Sequence, residues 1–364
     1  MSPTGEATAS AAIARGLAKT LGDCVIEALL APGAALSDGP GGITLGRDAL
    51  LAALRQRART LAGAGAGRGR RVALQHGRGA GFLIDLLALW QLGAVAVCLS
   101  PSLTPGERER VAETLAPVLW VADSGPAGLP LLPPADPAGL AGAADPGGAL
   151  PALDLDSVAA ILATSGTTAT PKGVVHTHRS LRARLALNVA AIGPADLAVG
   201  LTLLPMHFGH GLIGNSLTVL AGGGRLVAWP EPGLDGYARL GATIAAEGIT
   251  FMSSVPALWQ VVLRTAKPPR PGILRRVHVG SAPLGAGLWQ QIIDWSGTSR
   301  VVNMYGITET ANWIGGHSAE ESPPEDGLVG RPWGGALALR DADGRLTRQG
   351  RGEVMAATPA LMQG

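Results

Sequence analysis

Thr164-Ser165-Gly166-Thr167-Thr168-Ala169-Thr170-Pro171-Lys172-Gly173-Val174 (TSGTTATPKGV) is the stretch on which the reading of the whole chain turns. The run Ala159–Thr164 leading into it has the length and apolar composition of a buried strand, so the loop is expected at that strand's carboxyl end. Small hydroxyl residues and glycines let backbone N–H and side-chain O–H groups close around phosphate oxygens. Lys172 adds a point charge for the same oxygens. A Walker loop needs four residues between its first glycine and a Gly-Lys pair that opens a helix. Here Lys172 follows Pro171 and runs into Val174-Val175, more strand than helix, which disfavours the P-loop kinases and GTPases. The competing reading is a flexible Ser/Thr linker, and an ordered Pro-Lys-Gly string at a strand end argues against it.

Upstream of the loop, Arg47–Ala62 places Leu50, Leu51, Leu54, Ala58 and Leu61 on one face of an amphipathic helix, with Arg55, Gln56 and Arg59 opposite. Arg71–Gln75 reads as a strand, Gly81–Leu92 as a helix and Ala94–Leu99 as a second strand, a β–α–β rhythm. A Gly/Pro/Ala-rich tract without usable period follows. It is read as an excursion between two sheets, with a subdomain boundary near residues 122–157. Downstream, Ile249–Val255 reads as a strand, Pro256–Arg264 as a helix with proline in its first turn, and Val277–Gly280 and Val301–Met304 as further strands. The expected fold is α/β: two stacked α/β subdomains with mixed, largely parallel sheets over residues 1–326, then the start of a small β subdomain over 327–364.

Composition narrows the class. A chain of 364 residues needs more than one packed subdomain. It carries 29 Lys+Arg against 27 Asp+Glu, a net charge of +2, which gives no reason to expect nucleic acid or a membrane surface as partner. Cys24 and Cys98 stand far apart in no metal spacing, as free thiols of a reducing cytoplasm would. The N-terminal stretch lacks the uninterrupted apolar core of a signal peptide. The most apolar segment, Gly81–Leu99, contains Asp85 and Gln91 and is broken by Gly93, so it reads as a buried helix and strand and not as a membrane span.

Two more elements each follow an expected strand: Gly280-Ser281-Ala282-Pro283-Leu284 and Tyr305-Gly306-Ile307-Thr308-Glu309. Alone, each is short. A Tyr-Gly-x-Thr-Glu string is also a plausible strand end with a capping threonine. Together and in this order, with TSGTTATPKGV before them, they resemble the signatures of the adenylate-forming superfamily, which includes acyl-CoA synthetases, aryl-acid ligases, peptide-synthetase adenylation domains and firefly luciferase. The resemblance runs from about Ile43 to the end of the chain and is strongest to an acyl- or aryl-CoA ligase. One departure is Ala169, where the commonest family pattern has glycine.

The resemblance implies ATP-dependent activation of a carboxylic acid to an acyl-adenylate with release of pyrophosphate. Transfer to a thiol, either coenzyme A or the pantetheine arm of a carrier protein, would follow. It implies that Thr164, Ser165, Gly166, Thr167, Thr168 and Lys172 hold phosphates, and that Gly280, Ser281, Ala282, Pro283 and Asn303 border the purine. Tyr305 would stack on adenine above Gly306, Thr308 would bond the α-phosphate, and Glu309 would hold Mg²⁺. Lys172, Thr308 and Glu309 are the expected catalytic residues. His207, Phe208, Gly211, Ser281 and Trp313 are expected to wall the acid's pocket. For His207 and His210 the sequence leaves open a pocket wall, an H-x-x-H metal pair and an ordinary structural role. His176 and His178 read as strand-end residues. Met206–Asn215 contains no acidic residue to pair with an ammonium, which favours a fatty, aryl or other simple acid over an α-amino acid. Family members continue into a mobile lid domain with a catalytic lysine, and that lid is expected to be missing here. A nucleotide- and acyl-binding module without efficient turnover is therefore an alternative.

Overall fold

The computed structural model describes residues 29–77, 79–147, 153–164, 172–229 and 232–364, with the side chains of Thr164 and Lys172 outside the description. Ser165, Gly166, Thr167, Thr168 and Ala169 of the expected phosphate loop lie outside the described residues, as do Cys24 and the N-terminal stretch. The fold is mixed α/β, with three sheets among the described residues.

The first sheet has six strands in the order β6-β5-β3-β4-β7-β8. Its members are β3 (Arg71–Leu74), β4 (Val95–Cys98), β5 (Leu119–Val121), β6 (Leu131–Leu132), β7 (Val158–Thr164) and β8 (Lys172–Thr177). All neighbours run parallel except β7 and β8, which form an antiparallel hairpin. The second sheet has nine strands, β15-β14-β13-β12-β11-β9-β10-β1-β2. It contains β1 (Ala35–Asp38), β2 (Thr44–Gly46), β9 (Val199–Thr202), β10 (Arg225–Ala228), β11 (Phe251–Ser254), β12 (Arg276–Val279), β13 (Val301–Ile307), β14 (Asn312–Ser318) and β15 (Arg331–Pro332). The third sheet is small: β16 (Ala336–Arg340), β17 (Leu346–Thr347) and β18 (Glu353–Ala357).

The parallel strands are buried on both faces, and alternate residues divide between cores. Val72 and Leu74 of β3 and Ala96 and Cys98 of β4 join a central cluster, while Ala73, Val95 and Val97 face an outer one with Val111 and Trp120. The central cluster also takes Leu36 and Leu226 from the nine-stranded sheet, with the helices Arg47–Gly63 and Ala80–Gln91 packed among them. On the far side of the larger sheet, Trp259, Trp289 and Trp295 fill a third cluster beneath the helices Pro256–Thr265 and Ala286–Ser296.

Two sequence expectations change. Residues 122–157 do not separate two sheets, because β7 pairs directly with β4 inside the sheet that already holds β5 and β6. Gly/Pro-rich composition marks turns, not sheet membership, and the change of sheet falls instead at the helix His178–Ile192. The small β region also begins later than residue 327, since β15 still pairs with β14.

Asp85, the charge inside the apolar segment, is fully buried and explained by its partners. Arg57 Nε lies 2.6 Å from Oδ1, and the Ala135 amide 2.9 Å and His76 Nε2 3.1 Å from Oδ2. No helix among the described residues is long and apolar enough to cross a membrane.

Candidate active site

Strands β9, β11, β12 and β13 are consecutive parallel neighbours, so their carboxyl ends open on one side. An open α/β sheet offers its ligand crevice there. The residues that follow the strands (Leu203, Leu204, Val255, Ser281) and the end of β13 with Thr308 line one cavity of about 710 Å³. Leu204, Pro205, Phe208, Ala257, Leu258 and Val261 make its walls apolar, and the polar groups are few: His210, Tyr237, Ser281, Thr308 and Asn312. Among the described lining residues none is acidic.

The GSAPL and YGITE elements, separated along the chain, thus meet at one rim. Gly280 lets β12 end tightly against β13, since a Cβ there would stand 3.0 Å from the Met304 carbonyl and 3.6 Å from His210 Cε1. Ser281 adopts φ +67°, a left-handed backbone that costs a non-glycine residue on the order of 1 kcal/mol or more. That conformation sets its Oγ 2.8 Å from His210 Nδ1. The other ring nitrogen, Nε2, lies 2.7 Å from Ser253 Oγ on β11. Burial pushes the His210 pKa down to about 4, so the ring is neutral at ordinary pH, one nitrogen donating and the other accepting. Behind it, Trp313 presents an edge at 5.7 Å and itself stacks on Trp333 at 5.9 Å.

The β13 strand runs past Met304 to Ile307, with a register shift between Tyr305 and Gly306 opposite β14. Gly306 is required there: a Cβ would come 2.2 Å from the Asn312 carbonyl. The single 3₁₀ turn Thr308–Thr310 follows. The β7–β8 hairpin is tied to this turn, because His176 Nε2 on β8 donates to the Thr308 carbonyl over 2.8 Å. Thr164 and Lys172 pair at the loop end of that hairpin, and the His176 bond holds the strand beginning at Lys172 against the turn carrying Thr308 and Glu309.

Not every expected residue reaches the cavity. Phe208, Gly211 and Ser281 line it, but His207 and Trp313 do not. His207 is buried with its ring 4.1 Å from that of Phe208, and Trp313 is buried behind His210. The cause is the wide π-helical segment His210–Leu217, which brings His210 to the strand ends in place of His207. Asn303 is buried and its Nδ2 donates to Leu328 O over 2.8 Å, so it is occupied away from the cavity. Tyr305 and Glu309 are half-buried beside Thr308, and Ala282 and Pro283 are exposed; none of these four lines the cavity. His176 sits in β8 as expected, while His178 opens the next helix and is pushed down to about 4 by burial.

Ser253 was missed from sequence, and for His210 a pocket-wall role was only one of the readings left open. A signal existed for each: His210 stands between Gly209 and Gly211 in the stretch already singled out, and Ser253 lies next to the carboxyl end of an expected strand.

A model of the family described as AMP-binding enzyme matches residues 34–364. The medium-chain-fatty-acid–CoA ligase of Ectopseudomonas oleovorans is 32% identical over 223 residues, 57% of this chain and 40% of that protein. The isonitrile lipopeptide synthase of Mycobacterium tuberculosis is 31% identical over 266 residues, 70% of this chain and 10% of that protein. The solved structure of ATP-bound MatB from Rhodopseudomonas palustris superposes with a TM-score of 0.78 at 25% identity, covering 97% of this chain and 71% of that one. The chain spans less than half the length of the curated relatives it matches here.

Proposed function

The chain belongs to the AMP-binding enzyme family, and on that premise we propose that it binds ATP and a carboxylic acid side by side and joins them as an acyl-adenylate. The observation that carries this reading is the meeting of Ser281 and the Gly306–Thr308 strand end on the rim of one largely apolar cavity. The acid's carboxylate attacks the α-phosphate, and the bond to the β-phosphate breaks to release pyrophosphate. Such a displacement depends mainly on alignment and on neutralising phosphate charge. Lys172 and the amides of the hairpin end supply part of that charge, and the Thr308 hydroxyl orients the α-phosphate. Tyr305 offers its ring to the adenine. Glu309 and Thr308 present a carboxylate and a hydroxyl from adjacent positions of one turn, an oxygen donor set that suits Mg²⁺. Mg²⁺ held there would offset phosphate charge.

The acid's own tail goes into the apolar cavity. The absence of acidic residues among the described lining supports a simple carboxylic acid over an α-amino acid, whose ammonium would need a counter-charge. His210, neutral and held between two serines, sets the polar end of that cavity. The acyl acceptor is a thiol, coenzyme A or carrier-protein pantetheine. Exchange of labelled pyrophosphate into ATP, run over a panel of fatty, aryl and amino acids, tests the reading. Acid-dependent exchange with apolar acids is expected. Exchange with amino acids alone, or none with any acid while ATP still binds, would overturn the assignment.

A further inference from the structure

The helix His178–Ile192 carries Arg184 fully buried. Its Nε donates to Thr310 O at 3.3 Å, its Nη1 to Trp333 O at 3.3 Å and its Nη2 to Thr358 Oγ1 at 3.2 Å, all uncharged acceptors. Among the described residues no carboxylate forms an ion pair with it. A guanidinium taken out of water without a counter-ion is costly, and well-packed apolar side chains fill such a place more cheaply. Burial lowers Arg184 only to about 10, so it stays charged at neutral pH.

What Arg184 holds gives that cost a purpose. The Thr308–Thr310 turn has each of its three carbonyls engaged from a different part of the chain. Thr308 O accepts from His176 Nε2 at 2.8 Å, Glu309 O from the Met362 amide at 2.7 Å and Thr310 O from Arg184 Nε. A lone 3₁₀ turn has weak hydrogen bonds of its own, here Ala311 N to Thr308 O at 3.0 Å, and owes its shape to such outside donors.

We propose that Arg184 and His176 are positioning residues that clamp the Thr308–Glu309 turn against the strand beginning at Lys172, so that the groups for the nucleotide phosphates are aligned before ATP arrives. The inference rests on the preceding reading that this turn meets the phosphates. His176 fixes the turn to the hairpin. Arg184 fixes its far end and places an unpaired positive charge behind it, in an interior where that charge is little screened. Preorganisation of this kind lowers the ordering cost of binding and acts on the phosphates, not on the nucleoside.

Calorimetric titration of the whole chain with Mg²⁺-ATP and with adenosine, beside thermal unfolding, separates this role from plain packing. Arg184→Met is expected to weaken Mg²⁺-ATP at least about tenfold, the worth of a charge-assisted hydrogen bond, while adenosine binding changes less than about twofold. Arg184→Lys, which keeps the charge and loses the fork, falls between. Should Arg184→Met fail to fold, the His176 pair decides: Gln can still donate to Thr308 O and stays within about threefold of wild type, whereas Leu cannot and loses about tenfold. Equal losses for ATP and adenosine, or variants that only melt earlier with unchanged ATP affinity, overturn the clamp. A wild-type chain that binds no ATP overturns the functional reading itself, and the clamp with it.

Discussion

Replacing Gly306 by alanine perturbs the site through a single methyl group. The added Cβ would stand 2.2 Å from the Asn312 carbonyl oxygen and 2.7 Å from Trp313 Cα, both backbone atoms that cannot swing aside. Ordinary contact begins near 3.4 Å, so β13 and β14 must part locally by about 1.2 Å, the difference from 2.2 Å. Overpacking of that kind costs about 1–3 kcal/mol, and in a chain this long it lowers the thermal midpoint by roughly 1–4 °C. Thr308 lies two residues on, so the turn shifts with the strand. A displacement near 1 Å at reacting groups costs about a hundredfold in rate. Gly287, in the first turn of the helix Ala286–Ser296 with nothing within 4 Å of its Cβ position, is the control: Gly287→Ala should leave stability unchanged or raise it. Scanning calorimetry and ATP titration of the two variants make the comparison. A Gly306→Ala protein that melts and binds ATP like wild type would refute the reasoning.

The remaining expectations concern other parts of the molecule. His178 and His210 have folded pKa values pushed down to about 4 from an ordinary 6.5, so between those limits the unfolded chain binds more protons. Stability is therefore full above pH 6.5 and falls as pH drops toward 4, by at most about 1.4 kcal/mol per pH unit for each histidine; urea unfolding at stepped pH should show it, and a flat profile would contradict it. Asp85→Ala leaves Arg57 buried without its partner and should cost about 3–5 kcal/mol in chemical unfolding, far more than a surface Asp→Ala change such as Asp343→Ala. The Cys98 thiol, fully buried and raised to about 12, should resist a thiol reagent at pH 8 in the native state and react only at the rate of unfolding, as peptide mapping would report.

Much of the fold was legible because its signals are local. The helix expected over Arg47–Ala62 is observed as Arg47–Gly63, and the strand before GSAPL ends where that element begins, whereas the strand expected over Val301–Met304 runs on through Tyr305 and Gly306 to Ile307. Sheet membership was not legible. The strands Ala35–Asp38 and Thr44–Gly46 join the sheet whose nearest strand in space starts at Arg225, a pairing that no local period encodes. The π-helical segment His210–Leu217 was equally hidden. It is favoured by hydroxyls that reach back five residues, Thr218 Oγ1 to Ile213 O at 2.7 Å and Ser216 Oγ to Gly211 O at 2.8 Å, and it exchanges His210 for His207 at the cavity. No local pattern in the sequence marks Arg184. Only the fold shows it turned inward onto Thr310, Trp333 and Thr358.

The central claim is that one cavity joins a nucleotide to an acid as an adenylate. A non-hydrolysable acyl-sulfamoyl adenosine with an apolar acyl group resembles that intermediate, and an enzyme built to form it holds such a mimic more tightly than its substrates. Titrated calorimetrically against the chain, the mimic is expected to bind one to one, at least about a hundredfold tighter than ATP, and to displace it. Binding no tighter than ATP, or simultaneous occupancy by both, would contradict the account.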